Sequence, residues 1–209
     1  MSRRPYAPRM PAPPQDPIAT AGTAQRYGGV AMALHWLLAV LITASFGVGL
    51  YMTSLTFSPL QLKLFNWHKW AGITILALSA LRVLWRLLHR PPPLPSRIAE
   101  GMPGWQLVAH GGMHLVMYAL FFIVPLLGWA YSSARGLPVV LYGVLPLPDL
   151  LPLDKDMAEH LLKPLHHAGA FALMGVAALH AVAALKHHVV DHDGLLDRMW
   201  IGPRRKAER

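Results

Sequence analysis

Histidine is the residue type in this chain with the clearest chemical potential, because several histidines stand inside long apolar stretches. An ionisable side chain is costly in lipid, so a histidine within a membrane span indicates a function such as metal binding. His166 and His180 stand fourteen residues apart in one such stretch. An α-helix turns ~100° and rises ~1.5 Å per residue, so these two share a face ~21 Å apart along the axis, whereas His167 points ~140° away from His180. The spacing therefore predicts two stacked sites, with His167 the poorer candidate.

The elements that must position these histidines are membrane-spanning helices. A hydrocarbon core of ~30 Å needs a helix of ~20 mostly apolar residues. Four stretches meet that need: Gly28 to Met52, Trp67 to Leu88, Leu107 to Ser132 and Pro164 to Val190. The composition agrees, since 54% of the 209 residues are hydrophobic and only 14% are charged. We therefore predict an all-α fold, an integral membrane four-helix bundle.

The charge distribution predicts how the bundle is oriented. A formal net charge of +9 is also typical of nucleic-acid binding, but fourteen of the 19 Lys and Arg residues lie in the N-terminal arm, the second connection with its flanks, and the tail. Cytoplasmic segments of membrane proteins are enriched in basic residues. We therefore expect both termini in the cytoplasm, a lipid bilayer around the chain and no nucleic-acid partner.

The chain divides into three segments on composition. Residues 1–26 are rich in Pro, Ala and Arg without an apolar period, which predicts a disordered basic arm. Residues 27–199 hold the four-helix domain, and residues 200–209 form a basic cytoplasmic tail. The third connection is dense in proline and is expected to fold over the outer mouth of the bundle. The sequence contains no evident strand pattern.

Because neighbouring helices run antiparallel, histidines on different helices can lie at the same depth in the membrane. With both termini inside, His35 and His180 lie toward the cytoplasm, while His68 and His166 lie toward the outer side. Each pair can clamp a noncovalent b-type haem from two faces, and such a six-coordinate iron suits electron transfer. The chain has no cysteine, which excludes c-type haem attachment and thiolate-bound iron–sulfur clusters. A single intramembrane histidine more often makes an interhelical hydrogen bond, but four at matched depths favour two haems.

Neighbouring residues fit haem binding. Arg82 lies fourteen residues after His68 on the same helix face, where it can pair with a haem propionate. Its alternative role is to extend to the inner headgroups. His114, near the same depth, is a candidate hydrogen-bond partner of a ligand histidine. Gly49 and Gly72 are small residues that let a macrocycle approach the backbone, or that allow tight helix packing.

A known family shares these residues across nearly the whole membrane region. The shared positions are Leu34-His35-Trp36, His68 with Gly72, Leu81-Arg82, His114 to Tyr118, Pro125, Gly128, His166, His180 to Leu185, His187-His188 and Asp193 to Met199. On them the chain resembles the bacterial cytochrome b561 family, most closely its superoxide oxidase branch. The pair of fourth-helix histidines is the most specific element of the likeness.

The resemblance implies a more detailed function. It implies His35, His68, His166 and His180 as axial ligands of two haem irons in a bacterial inner-membrane protein. It also implies superoxide as the outer electron donor, ubiquinone as the acceptor and His187 near the quinone; no catalytic residue is assigned. The alternative for His187 is a histidine at the membrane exit beside Lys186.

Two other functions stay open at this stage. One is a haem b membrane-anchor subunit that passes electrons between a partner dehydrogenase or hydrogenase and the quinone pool. The other is a membrane protein without a cofactor, such as a small transporter or scaffold. The visible spectrum separates the last from the rest, because a reduced b-type α band appears only when haem is bound.

Overall fold

Four long helices make up most of the protein in a computed structural model, which describes residues 26–93, 101 and 103–200. The helices are α1 (Gly29–Ser54), α2 (Pro59–Leu88), α3 (Gly104–Ala134) and α4 (Lys155–Asp191). Each is long and apolar enough to cross a membrane. The predicted all-α, four-helix membrane bundle is confirmed.

Helices α2 and α4 begin eight and nine residues earlier than the apolar pattern predicts, because polar residues are mixed with apolar ones in their first turns. Ser58 caps α2 by accepting a hydrogen bond from the Gln61 amide at 3.2 Å, and Pro59 occupies the first helical position. Asp154 caps α4 in the same way through the Met157 amide at 2.9 Å. Both helices therefore extend beyond the apolar stretch.

The expectation of no strand was wrong in the third connection. Strand β1 (Val140–Leu141) pairs antiparallel with β2 (Leu145–Pro146), with Leu141 opposite Leu145. Tyr142 and Gly143 form the turn with positive φ angles of 52° and 76°. Two-residue strands are too short to show the alternation that identifies a strand in sequence. Residues 139–147 are called the hairpin below.

The first and last residues that the structure describes meet at one end of the bundle. The Tyr27 amide donates to the Arg198 carbonyl at 3.1 Å, and the buried Arg198 guanidinium donates to the carbonyls of Pro92 and Pro93 at 2.8 Å each. We call this end, residues 26–29 and 191–200, the terminal face, and the opposite end, which carries the hairpin, the hairpin face. Residues 1–25 of the predicted arm and 201–209 of the predicted tail lie outside the described residues.

An apolar layer lies halfway along the bundle. Ile42, Ile75, Phe121 and Leu173, one from each helix, belong to one buried cluster with Leu38 and Val124. Burying these side chains against each other holds the four helices in register at mid-height. The predicted ligand histidines consequently lie in two separate levels, one on each side of the layer.

Candidate functional site

The structure brings the predicted histidines together in two pairs. The ring centres of His68 and His166 are 6.0 Å apart on the hairpin side of the apolar layer. Those of His35 and His180 are 6.3 Å apart on the terminal side. We call them the hairpin-side pair and the terminal-side pair.

The hairpin-side pair is oriented by hydrogen bonds to helix carbonyls. His68 Nδ1 lies 3.0 Å from the Ser45 carbonyl, and His166 Nδ1 lies 3.0 Å from the Val124 carbonyl. A carbonyl only accepts, so each Nδ1 carries the proton and donates it. Each Nε2 is consequently the atom with a lone pair, as metal ligation requires.

Two glycines make these contacts possible. A Cβ atom on Gly49 would lie 3.2 Å from His68 Cε1, and one on Gly128 would lie 3.0 Å from His166 Cε1. A helical side chain covers the turn before its own position, so it would shield the carbonyl four residues earlier. Glycine leaves that carbonyl open to the imidazole.

The terminal-side pair has different neighbours. Arg82 Nη2 lies 3.0 Å from His35 Nδ1, and the ring of His114 lies edge-on to His180 with centres 5.3 Å apart. Arginine only donates hydrogen bonds, so His35 Nδ1 accepts in this contact. Arg82 and His114 thus both touch the terminal-side pair, at the level that the sequence predicted.

All four helices repeat the same spacing. Each has one residue at the hairpin-side level and one at the terminal-side level, fourteen positions apart, with an apolar-layer residue midway. The four sets are His35, Ile42 and Gly49; His68, Ile75 and Arg82; His114, Phe121 and Gly128; His166, Leu173 and His180. Fourteen residues return a helix to nearly the same direction after ~21 Å. The two levels therefore lie in register along the bundle, about 21 Å apart, although they differ in the residues that they contain.

The pairs fit a bis-imidazole iron. Two metal–nitrogen bonds of roughly 2 Å, with about 1 Å from each nitrogen to its ring centre, separate two ligand rings by about 6 Å. Both observed separations agree with that value. Beside the hairpin-side pair, a cleft partly open to the surface is lined mostly by apolar residues that include Phe46, Gly72 and Phe121. Apolar walls around convergent imidazoles suit a porphyrin.

His187 lies at the terminal face, where α4 ends in a wider π-helical turn (His187–Asp191). Its Nδ1 is 2.6 Å from Asp193 Oδ2 and 3.1 Å from Asp191 Oδ2. Lys186 binds Asp191 at 2.6 Å. Asp193 therefore holds the ring of His187 in one orientation.

A charged cluster lies at the hairpin face. Glu159 accepts hydrogen bonds from Lys163 at 2.8 Å and from Tyr131 at 3.2 Å, and it pairs with Arg135 at 3.0 Å. One carboxylate thus partly neutralises two cations near the hairpin-side pair. Elsewhere on this face, Lys63 lies over the Trp67 ring, 4.9 Å from its centre.

Sequence reasoning missed several members of these sites. The carbonyls of Ser45 and Val124 carry no sequence signal, because every residue has a carbonyl. Gly128 had a signal, since it follows His114 by the fourteen residues that separate His166 from His180. The roles of Asp193 and Glu159 could be recognised only from their contacts in the structure, with His187 and with Lys163 respectively.

Comparisons with known proteins agree with this geometry. Residues 26–202 match the family described as Prokaryotic cytochrome b561. Cytochrome b561 homolog 2 of Escherichia coli K12 is 35% identical over 184 residues, covering 87% of this chain and 95% of that protein. A probable superoxide oxidase, CybB of Yersinia pestis, is 30% identical over 185 residues, covering 84% and 96%. Cytochrome b561 homolog 1 of E. coli K12 is 29% identical and covers 87% and 99%. The chain therefore belongs to the prokaryotic cytochrome b561 family, whose members are bacterial membrane proteins that bind b-type haem and transfer electrons.

Proposed function

We propose that the protein holds two b-type haems, one between His68 and His166 and one between His35 and His180. The observation that carries this proposal is the recurrence, at two levels, of imidazole rings separated as ligands of one iron would be. When bound, each haem supplies an iron that takes up or releases one electron and so changes its oxidation state by one. The four-helix domain that performs this function is residues 27–199.

The chain's own residues orient the ligands. The carbonyls of Ser45 and Val124 hold the rings of His68 and His166 through Nδ1, which leaves Nε2 of each ring as the atom that can bind iron. The glycines opposite, Gly49 and Gly128, keep the rings close to the helix backbones. Side chains fixed in this way lose little freedom on ligation, which favours tight cofactor binding.

Arg82 has a second role at the terminal-side level. A His35 imidazole that ligates through Nε2 carries its proton on Nδ1, and that proton cannot be donated to a guanidinium. Arg82 must therefore turn from His35 Nδ1 to another acceptor on haem binding. A haem propionate is an anionic acceptor of the right kind, and a bidentate arginine–carboxylate pair is strong.

We propose that the reaction is the oxidation of superoxide by ubiquinone. Two superoxide anions each lose one electron and become dioxygen, while ubiquinone takes up two electrons and two protons and becomes ubiquinol. The relative named as a probable superoxide oxidase supports this reaction. Lys63, Lys69, Arg135 and Lys155 at the hairpin side would attract the anion toward the hairpin-side pair.

His187 is the residue proposed to lie beside the quinone. It is at the terminal face, seven residues after His180 and on nearly the same side of α4. Asp193 fixes its ring through Nδ1 at 2.6 Å, so Nε2 is presented to a neighbour. With Nδ1–H donated to Asp193, the ring can donate from Nε2 to a quinone oxygen only in its doubly protonated form, in which it can pass the Nε2 proton to that oxygen.

The reaction is tested by mixing purified protein with superoxide and following the α band of reduced b-type haem. Superoxide is expected to reduce the pigment, superoxide dismutase to prevent this, and added ubiquinone to reoxidise it. No reduction by superoxide, together with copurification of a soluble dehydrogenase or hydrogenase, would favour the membrane-anchor function instead.

The quinone assignment needs a separate variant. His187→Asn is expected to slow reoxidation by ubiquinone while haem content and reduction by superoxide stay unchanged. His188→Asn is the matched control, because it removes the adjacent imidazole without touching the contact to Asp193. Equal quinone kinetics in the two variants would remove His187 from the site.

We further propose that the protein lies in the bacterial inner membrane with both termini in the cytoplasm. The concentration of basic residues in the N-terminal arm, the second connection with its flanks, and the tail of the sequence supports this orientation. The chain has no cysteine, so Arg90→Cys and Asp156→Cys each introduce a single thiol. The two thiols lie at opposite ends of the bundle. An impermeant maleimide should label Asp156→Cys in intact spheroplasts and Arg90→Cys only after lysis. The reverse pattern would overturn the orientation.

A further inference from the structure

The hairpin in the third connection is apolar for a segment outside the helices. Thirteen consecutive residues, Gly136 to Pro148, carry no charged side chain. At the tip, Val144 is 84% exposed, Tyr142 58% and Leu145 55%. A segment that faces water would normally present polar groups at such exposed positions.

The hairpin is attached to α2 by polar contacts. The Trp70 indole donates to the Val140 carbonyl at 2.7 Å, and the hydroxyl groups of Thr74 and Tyr142 lie 2.6 Å apart. The rings of Trp70 and Tyr142 also touch, with centres 5.6 Å apart. Just before the hairpin, Lys69 donates to the Leu137 carbonyl at 3.0 Å.

These contacts lie on the outward face of α2. The inward face carries Leu64, His68, Ile75 and Ser79, of which all but His68 are buried. Trp70 and Thr74 lie on the other side, in line with exposed Ala77 and Leu81 further along the helix. The hairpin therefore covers the face of α2 that a bilayer would surround.

The contacts also set the depth of the hairpin. Trp70 and Thr74 lie two and six residues further into the span than His68, which is ~3 Å and ~9 Å along the helix. The hairpin thus folds back along the helix to the level of the hairpin-side pair. It does not stand above the bundle end, contrary to the sequence expectation that this connection folds over the outer mouth.

We propose that the hairpin is inserted into the lipid leaflet at the hairpin face, with Val144 and Leu145 in contact with acyl chains. Irregular backbone is tolerated at that depth only where its polar groups have partners. Side chains of α2 satisfy the carbonyls of Leu137 and Val140, and the two strands satisfy others. Trp70 and Tyr142 are the residue types that anchor a segment at a membrane interface.

The proposal is tested with single spin labels in the full-length, haem-containing protein reconstituted in phosphatidylcholine vesicles. The chain has no cysteine, so Val144→Cys and Leu145→Cys can be labelled without removing native thiols. Val182→Cys on α4, 64% exposed, is the lipid-facing control, and Asp156→Cys, with a side chain 90% exposed, is the water-facing control. Accessibility to oxygen and to a water-soluble nickel chelate is measured at all four positions.

Labels at residues 144 and 145 are expected to show the high-oxygen, low-nickel pattern of the Val182→Cys label. The nickel-accessible pattern of the Asp156→Cys label would show a water-facing hairpin and overturn the proposal. Low accessibility to both reagents would show that a second copy or another protein covers the tip, and would overturn it equally. An unaltered haem spectrum in each variant verifies that the bundle is intact.

Discussion

The histidines of the two pairs differ in what their Nδ1 atoms contact. His68 and His166 donate to backbone carbonyls, whereas His35 accepts from Arg82. The carbonyl contacts already set the tautomer that ligates iron through Nε2, and the arginine contact does not. The terminal-side site is therefore the one whose polar contacts must rearrange when haem binds.

Replacing Arg82 tests this difference. Arg82→Gln removes a positive charge beside the proposed haem, which destabilises the reduced form and lowers the potential of the terminal-side haem. We expect a decrease on the order of 60 mV, a tenfold change in a one-electron equilibrium. A potentiometric titration of the haem bands measures it.

Arg86→Gln is the matched control for that experiment. Arg86 lies one turn further along α2, and both guanidinium groups lie over the Tyr118 ring, 5.9 Å and 5.7 Å from its centre. Arg86 has the same charge but is not the arginine at His35 Nδ1. Equal shifts of the haem potential in the two variants would indicate that both arginines extend to the lipid headgroups and that Arg82 has no special role at the haem.

At the scale of the helices, the positions of two glycines determine which backbone carbonyls are open to the histidines. In α1 and again in α3, a glycine lies four residues after the carbonyl that binds a histidine of the facing helix, as Gly49 follows Ser45 and Gly128 follows Val124. Removing the side chain there uncovers the preceding turn. Each of these helices therefore contributes to the hairpin-side site through its backbone.

Adding one methyl group should disturb this arrangement. In Gly128→Ala the new Cβ would lie 3.0 Å from His166 Cε1, so the ring must move away from the Val124 carbonyl. We expect loss of about one haem of two, read from the ratio of pyridine haemochrome to protein. Gly47→Ala, where a Cβ would meet nothing within 4 Å, should keep both. Full haem content in Gly128→Ala would show that the close approach is not required.

The charge pattern acts at the scale of the whole molecule. On the hairpin face Glu159 offsets Arg135 and Lys163, whereas the sequence concentrates its basic residues in the N-terminal arm, the second connection with its flanks, and the tail. The net charge of this cluster on the hairpin face therefore depends on one carboxylate. A small anion approaching this face would respond to a change in that carboxylate.

Neutralising Glu159 should accelerate the proposed reaction. Glu159→Gln leaves Arg135 and Lys163 without their counter-charge, so reduction by superoxide is expected to be about 2- to 3-fold faster at low ionic strength. The difference should vanish at high salt, because ions screen exposed charges.

Asp156→Asn serves as the control for this charge effect. It changes the net charge by the same amount, and Asp156 pairs with His160 rather than with the two cations. A salt-independent rate, or equal acceleration in both variants, would contradict electrostatic attraction at the cluster.

The four-helix bundle and the two histidine pairs could be predicted from the sequence. Apolar runs of membrane-spanning length are compatible with few folds. In lipid no water is present to pair with backbone polar groups, so each spanning segment must form its own backbone hydrogen bonds, as a helix does. His166 and His180 sit on a single helix, so their common face follows from helix geometry alone. Their partners followed from antiparallel order, which matches depths across neighbouring helices.

The rest of the site depends on contacts that leave little trace in sequence. Every residue type has a backbone carbonyl, so that of Val124 cannot be recognised in sequence, and the pairing of Glu159 with Arg135 joins α4 to the residue that follows α3. The hairpin was missed because each of its strands has only two residues. Its position depends on side-chain contacts with Trp70 and Thr74, which no local pattern encodes.

The most direct test of the account is the haem-to-protein ratio of single and paired histidine variants. We predict two haems per chain in the unaltered protein and one in each single alanine variant of His35, His68, His166 and His180. His35→Ala combined with His180→Ala should still bind one haem, because both serve the same site. His166→Ala combined with His180→Ala should bind none, and His167→Ala, the neighbouring control, should bind two. Retention of the pigment by the His166→Ala, His180→Ala double variant would contradict the paired-ligand assignment.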